Sequence, residues 1–375
     1  MTSPFNFSEN APNQLLVNPK ATKQEKNDLI YLQFEFEKNH GTKGYFLVPS
    51  SGSSKSENET VKLIALTQDA VITSAKRINE YFNFTADLNW GLVLPYFHVA
   101  GLGVYARAHF ANSAVFFSDW EPGNLLNWIN EKKIHLMSLV PTQIFDIVQR
   151  QIICPETVRI VFVGAASLSP ELKEKALQLK WPIVEAYGMT ETASMIAVKL
   201  EDQLEVMTGV SVAQTNDKLK IKCESLMTCA IQKVNNQVIF KTLENGWLQT
   251  EDRVEIKSKD GIKFLTLLGR DSDFIKINGE GVSLSQLRQA LGAHPEMTLL
   301  ALPNQRTGHE IVLAHETSVS RDTLKLIINE YHNKVRPFEF IKKIFAVEQI
   351  PKADLGKIKF KNLEEMIKGN PYEKL

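Results

Sequence analysis

Between Leu29 and about Leu200, short apolar runs alternate with helix-like segments. The runs are YFLV at Tyr45, WGLVLP at Trp90, SAVFF at Ser113, IHLMSLV at Ile134, VRIVFV at Val158 and PIVEAY at Pro182; the helix-like segments include Ala70 to Tyr81 and Pro170 to Leu179. Alternation of this kind predicts a parallel sheet flanked by helices. From Gly209 to Leu268 the pattern shortens to strands of period two, such as KLKIK at Lys218. Turn signals at Asn235-Asn236 and Asp260-Gly261 separate them and predict a small antiparallel unit. After Gly269-Arg270 comes the polar, glycine-bearing stretch Asp271 to Gly281, followed by helix, strand, strand, helix and strand patterns of a usual domain size. A domain boundary is therefore expected at Arg270 to Asp273, giving an α/β (α+β multidomain) fold.

Composition narrows the partners. Lysine plus arginine and aspartate plus glutamate number 43 each, so no global charge argues for nucleic acid or an anionic membrane. Small molecules are the expected partners. Cys154, Cys223 and Cys229 form no metal-like pair with nearby histidines and read as free, mostly buried thiols in a reducing compartment, which points to the cytoplasm. The start, MTSPFNFSEN, has neither a basic region nor an apolar stretch, so no signal peptide is expected. The longest uncharged run, Trp90 to Ala106, contains Pro95, His98 and three glycines and reads as a site rather than a membrane helix.

The run YGMTET at Tyr187 places a ring, a permissive glycine, two hydroxyls and a carboxylate where an apolar strand leaves the sheet. In α/β enzymes ligands bind at that end of the strands. For a nucleotide, Tyr187 would stack on the base, Gly188 would let backbone approach, Thr190 would donate to phosphate and Glu191 would hold Mg²⁺. The alternative is a helix cap on Thr190 or Thr192. The loop Ser51, Gly52, Ser53 and Ser54 in FLVPSSGSSKSENET has the groups to wrap a polyphosphate, or is a serine-rich linker; it lacks the Gly-Lys-Ser/Thr end of a Walker loop. AGLGVYA imitates a dinucleotide fingerprint, but Tyr96 to Val99 separate the strand from the glycines, which argues against it.

His98, among apolar residues and glycines, is either a hydrogen-bonded core histidine or a pocket-lining one. Arg107, nine residues on, either snorkels to the surface or receives a substrate carboxylate. Asp252 in GWLQTED stands just before an expected strand, where a carboxylate holds ribose hydroxyls or is a solvated turn acid. Lys357, in PKADLGKIKF, follows a glycine turn and by default is solvated.

In this order the pieces resemble the acyl/aryl-CoA synthetases of the adenylate-forming superfamily over nearly the whole chain from about Leu29. Within that family the chain is most similar to the 2-succinylbenzoate-CoA ligases of menaquinone synthesis, on PYFHVAGLGVYARAHF and the short N-terminus. The resemblance implies a large adenylation domain, residues 1–270, with helix-flanked, mainly parallel sheets and a β subdomain at 209–268. A hinge at 271–273 and a small mobile α+β domain, 274–375, follow. It also implies ATP, Mg²⁺ and coenzyme A. Ser51-Gly52-Ser53-Ser54 match the phosphate loop, Tyr187, Gly188, Thr190 and Glu191 the adenine, phosphate and magnesium positions, and Gly164, Ala165 and Ala166 the wall between adenine and acyl group. Asp252 and Arg270 match the ribose contacts, Ser272 the hinge, Lys357 the mobile catalytic lysine, Gly279 the pantetheine tunnel and Lys276 a second lysine used after rotation. His98 and Arg107 are the substrate-pocket candidates, Arg107 for the second carboxylate of an aromatic dicarboxylic acid.

Three departures stand out. After Ser54 comes Lys55-Ser56-Glu57-Asn58-Glu59-Thr60-Val61-Lys62, longer and more acidic than the family's Gly-x-Pro-Lys, so Lys55 or Lys62 is expected to act differently. Glu251 stands where relatives carry glycine, and Asn278 replaces one of two adjacent glycines. With only about fifty residues before Ser51, the acid site is expected to be more open, or covered by a second subunit in a homo-oligomer. The competing readings are the same ligation on another acid, a non-catalytic adenylate-binding relative, and a domain that loads a separate carrier protein.

Overall fold

The computed structural model describes residues 3–50, 59–200, 203–234 and 237–374, with only the backbone of 59–61 and 374. The loop Ser51, Gly52, Ser53, Ser54 and the turn Asn235-Asn236 lie outside the described residues. The parallel core forms as the alternation predicts: Ile183–Met189, Ile160–Val163, Leu136–Leu139, Trp90–Leu92 and Val115–Phe117 lie side by side in that order, each pair parallel. The helices Val99–Ala111, Leu125–Lys132, Pro141–Gln149 and Pro170–Gln178 connect them. Local chemistry sets their ends. Ser169 accepts from the Leu172 amide with Pro170 at the first helical position, and Asn112 closes Val99–Ala111 in the left-handed region at φ 55°.

Two expectations change in detail. YFLV, within Tyr45–Ser50, joins not the parallel sheet but a separate five-stranded sheet with Gln14–Leu15, Glu59–Thr67, Cys229–Val234 and Gln237–Thr242. The amphipathic helix Lys23–His40 covers that sheet through Leu29, Leu32 and Phe36, packed on Leu47, Leu63 and Ile231. The short strands after Gly209 pair antiparallel as expected, but they are shared between two larger sheets. Four of them, Ser211–Thr215, Lys218–Lys222, Leu248–Lys259 and Ile262–Arg270, extend the parallel strands through Leu204–Val206 and Ser194–Lys199 into one eleven-stranded sheet. Period-two pairing reads strand geometry correctly but carries no information about which sheet edge a strand joins.

After Arg270, the hairpin Phe274–Ile277 and Glu280–Ser283 precedes a sheet ordered Met297–Asn304, Gly308–Glu316, Ile341–Val347 and Glu373–Lys374. Helix Arg321–His332 crosses between the parallel strands Gly308–Glu316 and Ile341–Val347. Helices Leu284–Leu291 and Phe360–Ile367 complete the unit. It has apolar cores of its own, one around Leu299, Leu313 and Tyr331 and another around Val312, Phe345 and Leu363.

Candidate active site

The strand at PIVEAY does not run into a helix. Ile183–Met189 turns through the 3-10 segment Thr190–Thr192 into the antiparallel strand Ser194–Lys199. Thr192 fastens the turn: its hydroxyl donates to the Ser194 carbonyl (2.6 Å) and accepts from the Met189 amide (3.1 Å). The Thr190 side chain has no hydrogen-bond partner among the described residues, and Thr192 closes this 3-10 turn from its third position, so neither threonine is the N-cap of a helix. Gly188 is dictated by close approach, since a Cβ there would lie 2.2 Å from the Ser194 carbonyl oxygen.

Four sequence candidates meet around this turn. The Tyr187 hydroxyl donates to Asp252 Oδ2 at 2.6 Å, and Arg270 Nε donates to Asp252 Oδ1 at 3.2 Å. Asp252 lies within the strand Leu248–Lys259 rather than before it, opposite Arg270 in the antiparallel register, which is why the two side chains meet. Burial and the neighbouring Asp252 carboxylate hold the Tyr187 phenol well above its ordinary pKa, so it stays a donor. Glu191 at the tip accepts from Lys62 Nζ at 2.8 Å. At the end of the parallel strand Ile160–Val163, Gly164 is followed by the exposed Ala165 and Ala166, with Ala165 held at φ 68°. A left-handed alanine carries backbone strain of the kind found where a chain is shaped around a ligand.

Lys357 arrives from the C-terminal unit and is half-buried rather than freely solvated. Burial first, then the Arg270 charge, lower its ammonium from 10.5 to about 8, while Asp252, Asp273 and Glu191 pull the other way. Arg270, Asp252 and Glu191 belong to the network around the Tyr187 turn. His98 caps the helix Val99–Ala111 with Nε2 3.3 Å from Asp354 Oδ2; burial pushes its pKa down, opposed by that carboxylate. Ser272 is exposed between two held acids: Asp271 pairs with Lys218 (2.9 Å) and Arg253 (3.0 Å), while Asp273 pairs with Arg288 (2.8 Å).

Arg107 does not snorkel. It is 2% exposed, its guanidinium 4.7 Å above the Trp90 ring and 5.9 Å from Phe162. Among the described residues its donors reach only the Ser194 hydroxyl (3.3 Å) and the Ser138 hydroxyl (3.4 Å), and its buried Nε has no partner. Desolvation lowers its pKa to about 9, which leaves it a cation at neutral pH. Lys276 and Gly279 are not brought to this cluster; both are exposed on the hairpin Phe274–Ile277 and Glu280–Ser283, where Asn278 and Gly279 make the turn at φ 53° and 85°. Sequence reasoning missed the partners Asn18, Thr142, Ser138 and Ser194, which are ordinary polar residues far from any motif.

Among the described residues no group of three or more histidine, cysteine or acidic side chains is arranged to hold a metal. A single carboxylate at Glu191 still suits Mg²⁺, which takes one or two carboxylates and completes its shell with phosphate oxygens and water.

Residues 60–226 match the AMP-binding enzyme family. That match includes the turn at Tyr187 and Glu191 and agrees with the resemblance read from the sequence. More narrowly, the chain is similar to the 2-succinylbenzoate-CoA ligase of Lactococcus lactis, 26% identical over 321 residues that span 81% of this chain and 68% of the relative. The ligase of Staphylococcus epidermidis is 25% identical over 361 residues, 90% of this chain and 74% of that one. The solved o-succinylbenzoate CoA synthetase of Bacillus subtilis in complex with its acyl-adenylate intermediate shares the fold at TM-score 0.74 and 20% identity, over 88% of this chain and 70% of that one. The same enzyme with ATP and magnesium gives 0.71 at 20% identity, over 85% and 69%.

Proposed function

We propose that the chain is an AMP-forming carboxylate-CoA ligase that converts 2-succinylbenzoate, ATP and CoA to 2-succinylbenzoyl-CoA, AMP and pyrophosphate through an acyl-adenylate. The observation that carries the reading is the network in which Tyr187 and Arg270 share Asp252 beside the Glu191 turn, with the charges of Arg270, Asp252 and Glu191 felt by Lys357 of the C-terminal unit. Similarity to ligases of that name supports the choice of acid.

In the first half-reaction a carboxylate oxygen of the acid attacks the α-phosphorus of ATP, and the bond to the pyrophosphate oxygen breaks. Two anions approach each other, so positive charge placed beforehand lowers the barrier. Lys357 supplies it in a poorly solvated site where a fixed charge acts strongly. Asp252 and Arg270 hold the ribose, Tyr187 stacks on adenine, and Thr190 offers its uncommitted hydroxyl to a phosphate, together with Ser51, Gly52, Ser53 and Ser54. Mg²⁺ held by Glu191 would supply further neutralisation of the phosphates. Gly164, Ala165 and Ala166 separate nucleotide from acid, and His98 closes the acid side.

Arg107 takes the carboxylate that is not activated. A buried cation whose hydrogen bonds among the described residues are two long hydroxyl contacts has donors to offer a bidentate anion. In the second half-reaction the CoA sulfur attacks the adenylate's carbonyl carbon, AMP leaves with the bonding pair and the thiol proton passes to solvent. Pivoting at Ser272, between the acid tied to the 1–270 domain and the acid tied to the 274–375 domain, would withdraw Lys357 and bring Gly279 and Lys276 round. No helix among the described residues is long and apolar enough to cross a membrane. Work in the cytoplasm with reduced thiols belongs to this reading, as does association of copies, which analytical ultracentrifugation tests.

The deciding experiment is AMP formation with ATP, CoA and 2-succinylbenzoate, run beside a panel of aryl and acyl acids. AMP with 2-succinylbenzoate is expected. Turnover of other acids only would reject the substrate, and no AMP with any acid would reject the ligase.

A further inference from the structure

We propose that Asp354 is a positioning residue that docks the loop carrying Lys357 onto the large domain, and that this docking serves adenylate formation but not thioester formation. The inference rests on the two-step ligase reading above. The three residues before Lys357 each touch the large domain in a different way. Asp354 Oδ2 accepts from Asn18 Nδ2 at 2.8 Å and lies 3.3 Å from His98 Nε2. Leu355 packs against the apolar cluster that contains Trp90, Leu94 and Val140. Gly356, at φ 71°, lies so close to the helix Pro141–Gln149 that a Cβ would stand 2.7 Å from Thr142 Oγ1 and 3.0 Å from its Cγ2.

The loop transmits this docking because it is stiff. The Ala353 amide donates to the Lys357 carbonyl (2.7 Å), the Gly356 amide to the Ala353 carbonyl (2.8 Å), and the Lys359 amide to the Pro351 carbonyl (2.8 Å). A residue held at 354 therefore fixes Lys357 as well. Asn18 and His98 come from segments far apart in sequence, so together they define an orientation and not merely a contact. Once the adenylate has formed, CoA must reach its carbonyl and Lys357 must leave; the Asp354 contacts then break and contribute nothing further.

The test separates the half-reactions in the full chain. Acid-dependent exchange of pyrophosphate into ATP reports the first, and CoA-dependent consumption of synthetic acyl-adenylate reports the second. Displacing a catalytic group by about an ångström costs on the order of 10²-fold, so Asp354→Ala is expected to slow exchange by about 10- to 100-fold while changing adenylate consumption by less than about twofold. Gly356→Ala is expected to slow exchange likewise, and adding Thr142→Ala on the opposite domain is expected to recover part of the loss, which a defect confined to the small domain would not do. Equal losses in both half-reactions, no loss in either, or no recovery in the double variant would overturn the docking role. A wild-type chain inactive in both assays would instead bring down the ligase reading, and this inference with it.

Discussion

The charges near Glu191 come in pairs, whereas the charge at Arg107 stands alone. Around the hairpin tip Lys62 meets Glu191, and Arg270 meets Asp252, which also receives the Tyr187 hydroxyl. Around Arg107 there are two rings and two hydroxyls, and among the described residues no carboxylate pairs with it. A paired site is already neutral and is suited to exchanging partners with a ligand that carries both signs, such as a metal-bound polyphosphate. An isolated buried cation costs the folded chain stability, and an anion that arrives relieves that cost. The two halves should therefore respond oppositely when their charges are removed.

The largest effect should come from the cation that joins the paired half from the other unit. Lys357→Ala is expected to slow acid-dependent AMP formation by about 10²- to 10³-fold, the usual cost of losing one preorganised charge or donor at a transition state. ATP affinity measured by calorimetry should change little. A loss below about tenfold would remove Lys357 from the chemistry.

Arg107→Met tests the lone half. Losing charge-assisted hydrogen bonds of roughly 1.5–3 kcal/mol should weaken the dicarboxylic acid by about 10- to 100-fold in Michaelis constant. Analogues without the second carboxylate should be used as before, and the thermal midpoint should hold or rise, because a buried charge is removed without leaving a partner. If both kinds of acid lose equally, Arg107 only shapes the pocket.

Legibility followed the same division. The alternation from Trp90 to Tyr187 gave the parallel core because strand and helix periods are local properties, whereas the network of Tyr187, Asp252 and Arg270 depends on Asp252 and Arg270 standing opposite each other in register, which residue types alone do not carry. Sheet membership was not legible either: Tyr45–Ser50 and Cys229–Val234 look like any other strands but pair through Glu59–Thr67 in a second sheet. Nor was the burial of Arg107, since a cation in an apolar helix reads equally as snorkelling until Trp90 and Phe162 are known to flank it. The contact of Asp354 with Asn18 joins residues 336 positions apart and has no signature in either segment.

A pH titration sharpens the paired half further. Lys357 has its pKa lowered to about 8 from 10.5, so the ammonium persists below about 8 and is lost above it. Adenylate formation is expected to fall as pH rises through that value, and Lys357→Met should abolish this limb. Stability runs the other way. Between about 8 and 10.5 the unfolded chain binds the proton that the folded one has released, so this residue's penalty, present in full below 8, is lifted as pH rises to 10.5. Denaturant midpoints of wild type and Lys357→Met should therefore converge across that window; a constant difference would mean the lysine is not desolvated.

The smallest expected effect lies within the pair Lys62 and Glu191, and it decides what the pair is for. Both side chains are partly exposed, at 27% and 18%, so the attraction is worth about 1 kcal/mol at most, or roughly fivefold in an equilibrium constant. If the ammonium stands where a divalent cation would otherwise sit, Lys62→Met frees Glu191, and Mn²⁺ binding without nucleotide, followed by electron paramagnetic resonance, should tighten by up to about fivefold. If Lys62 instead serves the phosphates, Mn²⁺ binding should not change and ATP affinity should fall. The first outcome makes the pairing of this half a resting arrangement that metal and nucleotide dismantle together, in contrast to Arg107, which among the described residues has no carboxylate to give up.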